Sequence, residues 1–417
     1  MDKYFIKGGN KLFGAVTVPS AKNAYLPILA GAILCDGKVQ LENCPNFLDV
    51  QNMLKILESL GGKTYIKDKT LTLDMTGLKK FEILGDLASK LRSSFFCVGA
   101  LLGRFKKARV AYPGGCEIGA RPIDLHLKAL KCLNVKILDR HGYISFDGGA
   151  MRGGEVHLDF PSVGATENVM LAACAIKGVS RIYNAAKEPE IVDLQNFLNS
   201  AGAKIRGAGS DVIEIVGVKK LHNVEYRPMP DRIVAGTYML SVVVCGGEVI
   251  LKNCPTSSLD AFFSKLDARV CKIKKNPSCA LVSVSGRHRA ISKLETMPHP
   301  GFPTDLQSPM TAMLATAKGT STIIENLFET RFKCVPQLSK MGAQITTNGR
   351  VAVVRGVPKL YGAEVFAPDL RGGAALVLAG LMAEGYTTIA NISQIERGYD
   401  SLVQDLTSLG ANIKKIC

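Results

Sequence analysis

The stretch YPGGCEIGARPIDLH, residues 112–126, places one cysteine between paired glycines and an Arg-Pro step. Proline is typical of the first helical turn, so a helix is predicted to begin near Pro122. A helix N-terminus presents unpaired N–H groups, and together with Arg121 it predicts a cradle for a phosphate or diphosphate. Cations and amide dipoles favour a thiolate, which makes Cys116 the strongest candidate for a reactive thiol. The alternative is that Cys116 is a small buried residue, as cysteines commonly are.

Further polar residues precede a series of strongly apolar segments. They are Lys22 with Asn23, Arg92, Ser162, Asp231 with Arg232, Asp305, and Asp369 with Arg371. Several helix N-termini that converge on a cleft would bind an anion even before these cations are counted. The alternative is structural, because Ser162, Asp231, Asp305 and Asp369 are also ordinary N-cap residues.

Two series of internal repeats contain these residues. An amphipathic helix end followed by a strand recurs six times, about every seventy residues, which is longer than a solenoid repeat. Its copies are LESLGGKTY, LKCLNVKIL, LNSAGAKIR, FSKLDARVC, LSKMGAQIT and LTSLGANIK. Helices of the second series, such as APDLRGGAALVLAGLMAEG, are apolar on all sides and should be buried, whereas the first series should cover the outside.

Each repeat is therefore predicted to be a mixed α/β module of the order βαβαββ, with β-branched segments such as EVILKNC as strands. Six modules divide into two globular domains of three. Residues 21–229 would form the N-terminal domain with the Cys116 loop, and residues 1–20 plus 230–417 would form the C-terminal domain. Two chain crossings near 20 and 230 would then act as a double hinge that closes over a ligand.

Composition narrows the class of protein. The chain has 417 residues, a net charge of +16 and twelve scattered cysteines without a CxxC pair, so neither a disulfide framework nor a zinc site is predicted. The sequence has no apolar run long enough to predict a membrane span or a signal peptide, which favours a cytoplasmic protein. Lys and Arg are spread along the chain rather than clustered, which argues against nucleic acid and favours phosphorylated small molecules.

The motifs AKNAYLPIL, PGGCEIGARPIDLH, FPTDLQ, DLRGGAALVLAG and ERGYD closely resemble those of the UDP-N-acetylglucosamine enolpyruvyl transferases of bacterial cell-wall synthesis. The similarity covers essentially the whole chain. It implies a fold of two globes, each an inside-out α/β barrel of three repeats around buried helices. It also implies transfer of the enolpyruvyl group of phosphoenolpyruvate to the 3-hydroxyl of UDP-N-acetylglucosamine, without a cofactor or a metal. The oligomeric state stays open, with a monomer favoured.

The resemblance also implies roles for individual residues. Lys22 would bind phosphoenolpyruvate, Asn23 would fix the sugar, and Cys116 would donate a proton and be alkylated by fosfomycin. Asp305 would accept the hydroxyl proton and Asp369 would help to move it. The remaining expected contacts are Arg92, Arg121, Arg331, Arg371 and Arg397 around the phosphate, and Arg121, Pro122, Ile123, Asp124, Leu125, Ser162, Val163, Gly164 and Leu327 around the nucleotide sugar. Whether Cys116 or Lys22 delivers the decisive proton stays open.

Two positions depart from the family pattern. Leu48 and Phe160 stand where relatives often carry lysine. Both changes remove a cation near the expected nucleotide or phosphate, so a weaker grip on the diphosphate is expected while the reaction type is retained.

Two alternatives remain. A shikimate-branch transferase would share the fold and the donor, although Cys116 and the AKN motif speak against it. The other alternative is a catalytically silent basic binding protein. Six candidate residues that are present together speak against it: Lys22, Cys116, Asp305, Asp369, Arg371 and Arg397.

Overall fold

Six helices form the centres of the fold. The computed structural model describes residues 2–89, 91–112, 123–266 and 270–416. In the helix Arg232–Cys245 twelve consecutive residues from Arg232 to Val243 are buried, because its side chains are apolar or small on every side. The prediction of buried helices is thereby confirmed. The central helices are Lys22–Ala32, Cys97–Phe105, Val163–Ala173, Arg232–Cys245, Gln307–Leu314 and Leu370–Met382.

A second set of helices is amphipathic. In Leu48–Ser59 the apolar residues Val50, Met53, Leu54, Ile56 and Leu57 are buried while the intervening positions are more exposed. One face packs inward and the other faces solvent, as the repeat pattern predicts. The set comprises Leu48–Ser59, Asp124–Cys132, Pro189–Ser200, Asp260–Phe263, Val335–Lys340 and Leu402–Ser408, and two further short helices are Gly85–Ala88 and Ser393–Glu396.

The strands of the described residues form six four-stranded sheets of one topology. The first two strands of each sheet are parallel, and the other two pairings are antiparallel. Because side chains alternate along a strand, one face of each sheet packs on the central helices. Each sheet with its helices is thus one βαβαββ module.

Three sheets are formed by residues 20–229, and three by residues 2–19 together with residues 230–416. The first three, in spatial order, are Val224–Tyr226, Lys38–Leu41, Thr70–Asp74, Lys63–Lys67; then Glu82–Ile83, Lys107–Ala111, Tyr143–Asp147, Lys136–Arg140; then Glu155–His157, Val179–Tyr183, Val212–Val216, Lys204–Arg206. The others are Leu12–Thr17, Gly247–Lys252, Cys279–Val284, Lys272–Asn276; then Lys293–Glu295, Thr320–Ile324, Val351–Arg355, Gln344–Asn348; then Glu364–Phe366, Tyr386–Ala390, Lys3–Lys7, Asn412–Ile416.

The described residues divide into two compact units. The N-terminal unit comprises 20–112 and 123–229, and the C-terminal unit comprises 2–19 and 230–416. Each unit has its own hydrophobic core. The chain's first strand, Lys3–Lys7, lies between Tyr386–Ala390 and Asn412–Ile416 and so completes the last sheet of the C-terminal unit. That the two crossings act as a hinge stays a prediction.

Two central helices are each preceded by a 3-10 turn. A 3-10 turn, Arg92–Phe96, precedes the helix Cys97–Phe105. Ser93 and Ser94 are weak helix formers because their hydroxyls compete for backbone groups. A second 3-10 turn, Thr304–Leu306, precedes Gln307–Leu314 and carries Asp305. Further 3-10 turns are Thr256–Ser258 and Arg331–Cys334.

Candidate active site

Asp305 joins two buried cations in the C-terminal unit. Its carboxylate accepts a hydrogen bond from Nη2 of Arg331 and another, at 2.9 Å, from Nη2 of Arg371. The two arginine side chains are each 2% exposed, and the Asp305 side chain is 25% exposed. The residue at the N-cap of the following helix is Leu306, so Asp305 does not cap it. Its charge is instead compensated by two guanidinium groups, one on each side.

Asp369 positions the backbone from which Arg371 projects. Asp369 is the N-cap of the helix Leu370–Met382, and its Oδ1 accepts from the backbone N–H groups of Arg371 and Gly372, both at 3.0 Å. This satisfies two of the donors that every helix leaves at its start. The predicted structural role of Asp369 is therefore present. Within the described residues, its buried Oδ2 has no hydrogen-bond partner and remains available for a further contact.

The guanidinium of Arg371 has unused donors. Its Cζ lies 5.5 Å from the ring centroid of Tyr399, whose hydroxyl is 2.8 Å from Oγ1 of Thr237. Burial, the largest single influence, lowers the pKa of Arg371, but Asp305, Tyr399 and Asp231 together outweigh it and raise that pKa above its ordinary value. Among the described residues, Nε and Nη1 of Arg371 lack a hydrogen-bond partner. Buried charged N–H groups without acceptors are costly, which points to an anionic ligand for this group.

The other predicted residues of the C-terminal unit occupy different positions. Asp231 is the N-cap of Arg232–Cys245 and accepts from the N–H groups of Ile233 and Val234 at 2.7 and 2.9 Å. Arg232 is buried in the first turn of that helix. Arg397 is partly buried, and its Nη1 lies 3.4 Å from Oε1 of Gln394. Leu327 is also partly buried and follows the strand Thr320–Ile324.

In the N-terminal unit, Lys22 forms the first residue of the central helix Lys22–Ala32. Its Nζ is 3.2 Å from Oδ2 of Asp49, and the two side chains are 14% and 3% exposed. Leu48 directly precedes Asp49 and is 37% exposed, so a side chain at this position can reach solvent beside the ion pair. Asn23 is exposed. Lys22 is thus a largely buried cation held at a helix N-terminus, where an anion would also be favoured.

The structure brings together the two segments that were predicted to bind the nucleotide. Ser162 caps the helix Val163–Ala173 by accepting from the N–H of Ala165 at 3.3 Å. A Cβ on Gly164 would lie 2.8 Å from Cε1 of His126, the third residue of the helix Asp124–Cys132. Only glycine lets these helix starts approach so closely. Ile123, Leu125 and Val163 are partly buried around this contact, and Asp124 is exposed.

His126 is itself fixed by its surroundings. Its Nδ1 lies 2.9 Å from Nδ2 of Asn168, and Phe95 packs edge-on against its ring with centroids 5.1 Å apart. Phe95 belongs to the turn Arg92–Phe96, which begins with the partly buried Arg92. The predicted cation Arg92 therefore lies in the same turn as Phe95, which packs against His126 beside the predicted nucleotide segments. Phe160 is 46% exposed just before this region.

Three predicted residues, Cys116, Arg121 and Pro122, lie outside the described residues. Four buried cysteines of the described residues have thiols that ionise poorly. Burial raises the pKa of Cys35, Cys97, Cys254 and Cys334 to about 12. Cys132, by contrast, is exposed. The four buried thiols are therefore unsuited to act as nucleophiles or acids near neutral pH.

Sequence reasoning missed Asp49, His126, Tyr399 and Thr237 as neighbours of the predicted residues. Tyr399 lies within the ERGYD motif, two residues after Arg397, and that proximity was the available signal. Asp49 and Thr237 carry no local signal, because their contacts join distant segments. In the described parts of the chain, no group of three or more His, Cys, Asp or Glu side chains is arranged to hold a metal ion.

Comparison with known proteins agrees with this fold. The family model described as EPSP synthase (3-phosphoshikimate 1-carboxyvinyltransferase) matches residues 6–406, and the chain belongs to this family. A relative from Caldanaerobacter subterraneus subsp. tengcongensis, named UDP-N-acetylglucosamine 1-carboxyvinyltransferase 2, is 50% identical over 416 residues and 100% of both chains. A relative from Symbiobacterium thermophilum, named UDP-N-acetylglucosamine 1-carboxyvinyltransferase 1, is 48% identical over 100% of this chain and 95% of its own.

A solved structure shows the same fold. The enolpyruvyl transferase NikO from Streptomyces tendae matches with a TM-score of 0.89 at 24% identity, over 99% of this chain and 98% of its own. The two-part α/β architecture predicted from the repeats is thereby confirmed. None of the helices in the described residues is long and apolar enough to cross a membrane.

Proposed function

We propose that this chain transfers the enolpyruvyl group of phosphoenolpyruvate to the 3-hydroxyl of UDP-N-acetylglucosamine and releases phosphate, the first committed step of peptidoglycan precursor synthesis. The names of full-length relatives at 50% and 48% identity support this acceptor. One structural observation carries the proposal: a carboxylate, Asp305, lies between the buried guanidinium groups of Arg331 and Arg371. A proton acceptor within fixed positive charge is what the reaction needs.

The proposed chemistry is addition followed by elimination. Protonation of the methylene carbon makes the enol carbon of phosphoenolpyruvate cationic, and the sugar hydroxyl adds to that carbon while losing its proton. The resulting tetrahedral ketal then loses a proton from the new methyl group as phosphate leaves, which restores the double bond. The sum is one ether bond formed and one phosphate ester bond broken, without any oxidant or reductant.

In the C-terminal unit, Asp305 would accept the hydroxyl proton and Arg331 and Arg371 would stabilise the anionic groups of the donor. The N–H groups at Nε and Nη1 of Arg371 would gain acceptors when an anion binds. Asp369, with a free Oδ2, would relay a proton. Arg397 would hold phosphate and Leu327 would contact the sugar.

In the N-terminal unit, Lys22 would exchange part of its contact with Asp49 for the phosphoenolpyruvate anion, and Asn23 would hold the sugar. The joined segments 123–125 and 162–164 would bind the uridine diphosphate, because they lie at two helix N-termini, which suit an anion. Arg92 would add positive charge. Arg121 and Pro122 would extend the same cradle.

Cys116 would be the reactive thiol that protonates the donor and is alkylated by fosfomycin. The raised pKa values of the buried cysteines support this choice, because those thiols are neutral near pH 7. We further propose that the enzyme acts in the cytoplasm, where phosphorylated metabolites of this kind are found, and that neither nucleic acid nor a membrane is its partner.

The proposal is tested by phosphate release from phosphoenolpyruvate with UDP-N-acetylglucosamine, shikimate 3-phosphate or no acceptor. Release only with the UDP-sugar, abolished by fosfomycin, is the expected result. Release only with shikimate 3-phosphate would retain the fold and overturn the acceptor. Absence of release in all three reactions would favour a binding protein.

Mass spectrometry after fosfomycin treatment tests the thiol separately. One adduct per chain is expected on Cys116, and Cys116→Ser should abolish it. Cys132→Ser is the matched control, because Cys132 is exposed and competes on access alone. An adduct that persists in Cys116→Ser and disappears in Cys132→Ser would overturn the assignment.

A further inference from the structure

Glu325 is a completely buried carboxylate beside the Asp305 site. It follows the last residue of the strand Thr320–Ile324 and is 0% exposed. Its Oε2 accepts from the hydroxyl of Thr304 at 2.9 Å, and its Oε1 accepts from the backbone N–H groups of Leu327 and Phe328 at 2.9 and 3.1 Å. Three donors thus converge on one carboxylate, as needed to bury such a group.

The first of these contacts reaches the Asp305 segment. Thr304 directly precedes Asp305 in the turn Thr304–Leu306. The backbone carbonyl of Thr304 accepts from Nε of Arg331 at 3.2 Å, while Nη2 of Arg331 binds the Asp305 carboxylate. Glu325 therefore fixes Thr304. The carbonyl of Thr304 and the carboxylate of the next residue, Asp305, both accept hydrogen bonds from Arg331.

The other contacts fix the turn that carries Leu327. Phe328 lies in the same turn, and its ring centroid is 5.6 Å from Cζ of Arg331. The preceding residue, Asn326, donates its backbone N–H to Oγ1 of Thr296 at 3.0 Å, which ties the turn to another buried position. A single carboxylate therefore joins the proposed base segment to the turn proposed to face the sugar.

We propose that Glu325 is a positioning residue that fixes the geometry between Asp305 and the sugar-facing turn at Leu327. The inference rests on the proposed function, because it assigns Glu325 to the acceptor side of that reaction. The carboxylate accepts from all three groups, and its negative charge strengthens each of these hydrogen bonds. Glutamine can keep the two backbone bonds only if its N–H₂ faces Thr304, so that the Thr304 hydroxyl must accept instead of donate, and the charge that strengthens all three bonds is lost.

Steady-state kinetics of Glu325→Gln test this role. The expected result is a KM for UDP-N-acetylglucosamine raised about tenfold and a kcat lowered by about ten- to a hundredfold, since small misplacements of reacting groups have effects of this order. The KM for phosphoenolpyruvate should change less than about twofold. A merely structural role would not separate the two substrates.

Glu329→Gln is the matched control. Glu329 lies in the same turn, undergoes the same chemical change and pairs with Arg350 at the surface, its side chain being 51% exposed. Its kinetics should equal those of the wild type. A Glu325→Gln enzyme with wild-type kinetics would overturn the inference, and so would equal increases in both KM values.

Thr304 supplies a second test that leaves the buried carboxylate in place. Thr304→Ser keeps the hydroxyl and should behave as the wild type, whereas Thr304→Val removes it and should raise the KM for the UDP-sugar in the same direction as Glu325→Gln. Identical behaviour of the two Thr304 variants would count against the inference even if Glu325→Gln failed to fold. A wild-type enzyme that transfers the enolpyruvyl group to a different acceptor would instead contradict the proposed function.

Discussion

Two guanidinium groups share one carboxylate at Asp305, and the three side chains come from segments far apart in the chain. Both buried cations depend on this carboxylate, since removal of Asp305 would leave two buried guanidinium groups without it as a counter-charge. Rigid, preorganised charge is also what stabilises a developing charge during a reaction.

Asp305→Asn should reduce both activity and stability. The amide cannot accept the hydroxyl proton, so kcat should fall by about 10³-fold. It also leaves the buried Arg331 and Arg371 without a counter-charge, which should lower the free energy of unfolding by about 2 kcal/mol or more. Phosphate-release kinetics and urea unfolding measure the two effects. Asp260→Asn, which alters a surface pair with Lys275, should change neither. Retention of kcat in Asp305→Asn would remove Asp305 as the base.

A different carboxyl group makes stability depend on pH. Glu167 in the N-terminal unit is 0% exposed, and neither of its oxygens has a hydrogen-bond partner among the described residues. Burial, with smaller effects of Glu190 and Glu188, raises the pKa of Glu167 well above its ordinary value of 4.5. The folded protein therefore retains a proton that the unfolded chain releases.

Stability should consequently fall as pH rises above that ordinary value toward the folded-state pKa, because the unfolded chain then binds fewer protons. Glu167→Gln cannot ionise and should lack this part of the slope. Urea unfolding at pH values from about 5 to about 8 should show the wild type losing stability relative to Glu167→Gln. The exposed Glu225→Gln serves as the control in the same unit. Parallel pH profiles of wild type and Glu167→Gln would contradict the prediction.

At the scale of elements, the ends of the central helices need acceptors and donors from other segments. Arg104 lies in the last turn of the helix Cys97–Phe105 and donates to three carbonyls, those of Ile33 and Cys35 at 2.8 and 2.9 Å and that of Met75 at 2.9 Å. Ile33 and Cys35 lie at the C-terminal end of the helix Lys22–Ala32. One side chain thus satisfies carbonyls that a helix end leaves without partners.

Arg104→Met should therefore destabilise the N-terminal unit. Methionine keeps much of the apolar stem but leaves three carbonyls with fewer donors, so the free energy of unfolding should fall by about 2 kcal/mol. Thermal or urea unfolding followed by circular dichroism measures the change. Arg152→Met, at an exposed position, should have no comparable effect. Equal stability of the two variants would show that the carbonyls find other partners.

Sequence patterns predict these elements to different degrees. The central helices are predictable because Arg232–Cys245 and Leu370–Met382 are apolar on every side, which only a buried position tolerates. The cap roles of Ser162, Asp231 and Asp369 follow from local spacing. Asp305 differs because its partners, Arg331 and Arg371, are 26 and 66 residues away, and nothing in the local pattern indicates that pairing. The local sequence around Glu325 likewise predicts only the polar end of a strand.

At the scale of the whole molecule, the chain passes between the two units at two neighbouring points. In the C-terminal unit the N–H of Asp231 donates to the carbonyl of Pro19, and in the N-terminal unit the N–H of Ala21 donates to the carbonyl of Met229, both at 2.8 Å. The two crossing segments are therefore bonded to each other on either side of the boundary. Both bonds flank the predicted hinge, so closure there is expected to change how readily they open.

Hydrogen exchange at these amides tests the predicted hinge. If UDP-N-acetylglucosamine closes the protein about the crossings, exchange of the Ala21 and Asp231 amides should slow on binding. The amides of Gly217 and Gly356, which bond within single modules to the carbonyls of Gly178 and Gly319, should exchange at unchanged rates. Uniform slowing at all four amides would indicate general stabilisation by a bound ligand rather than closure. Unchanged exchange at Ala21 and Asp231 with saturating ligand would count against closure at the crossings.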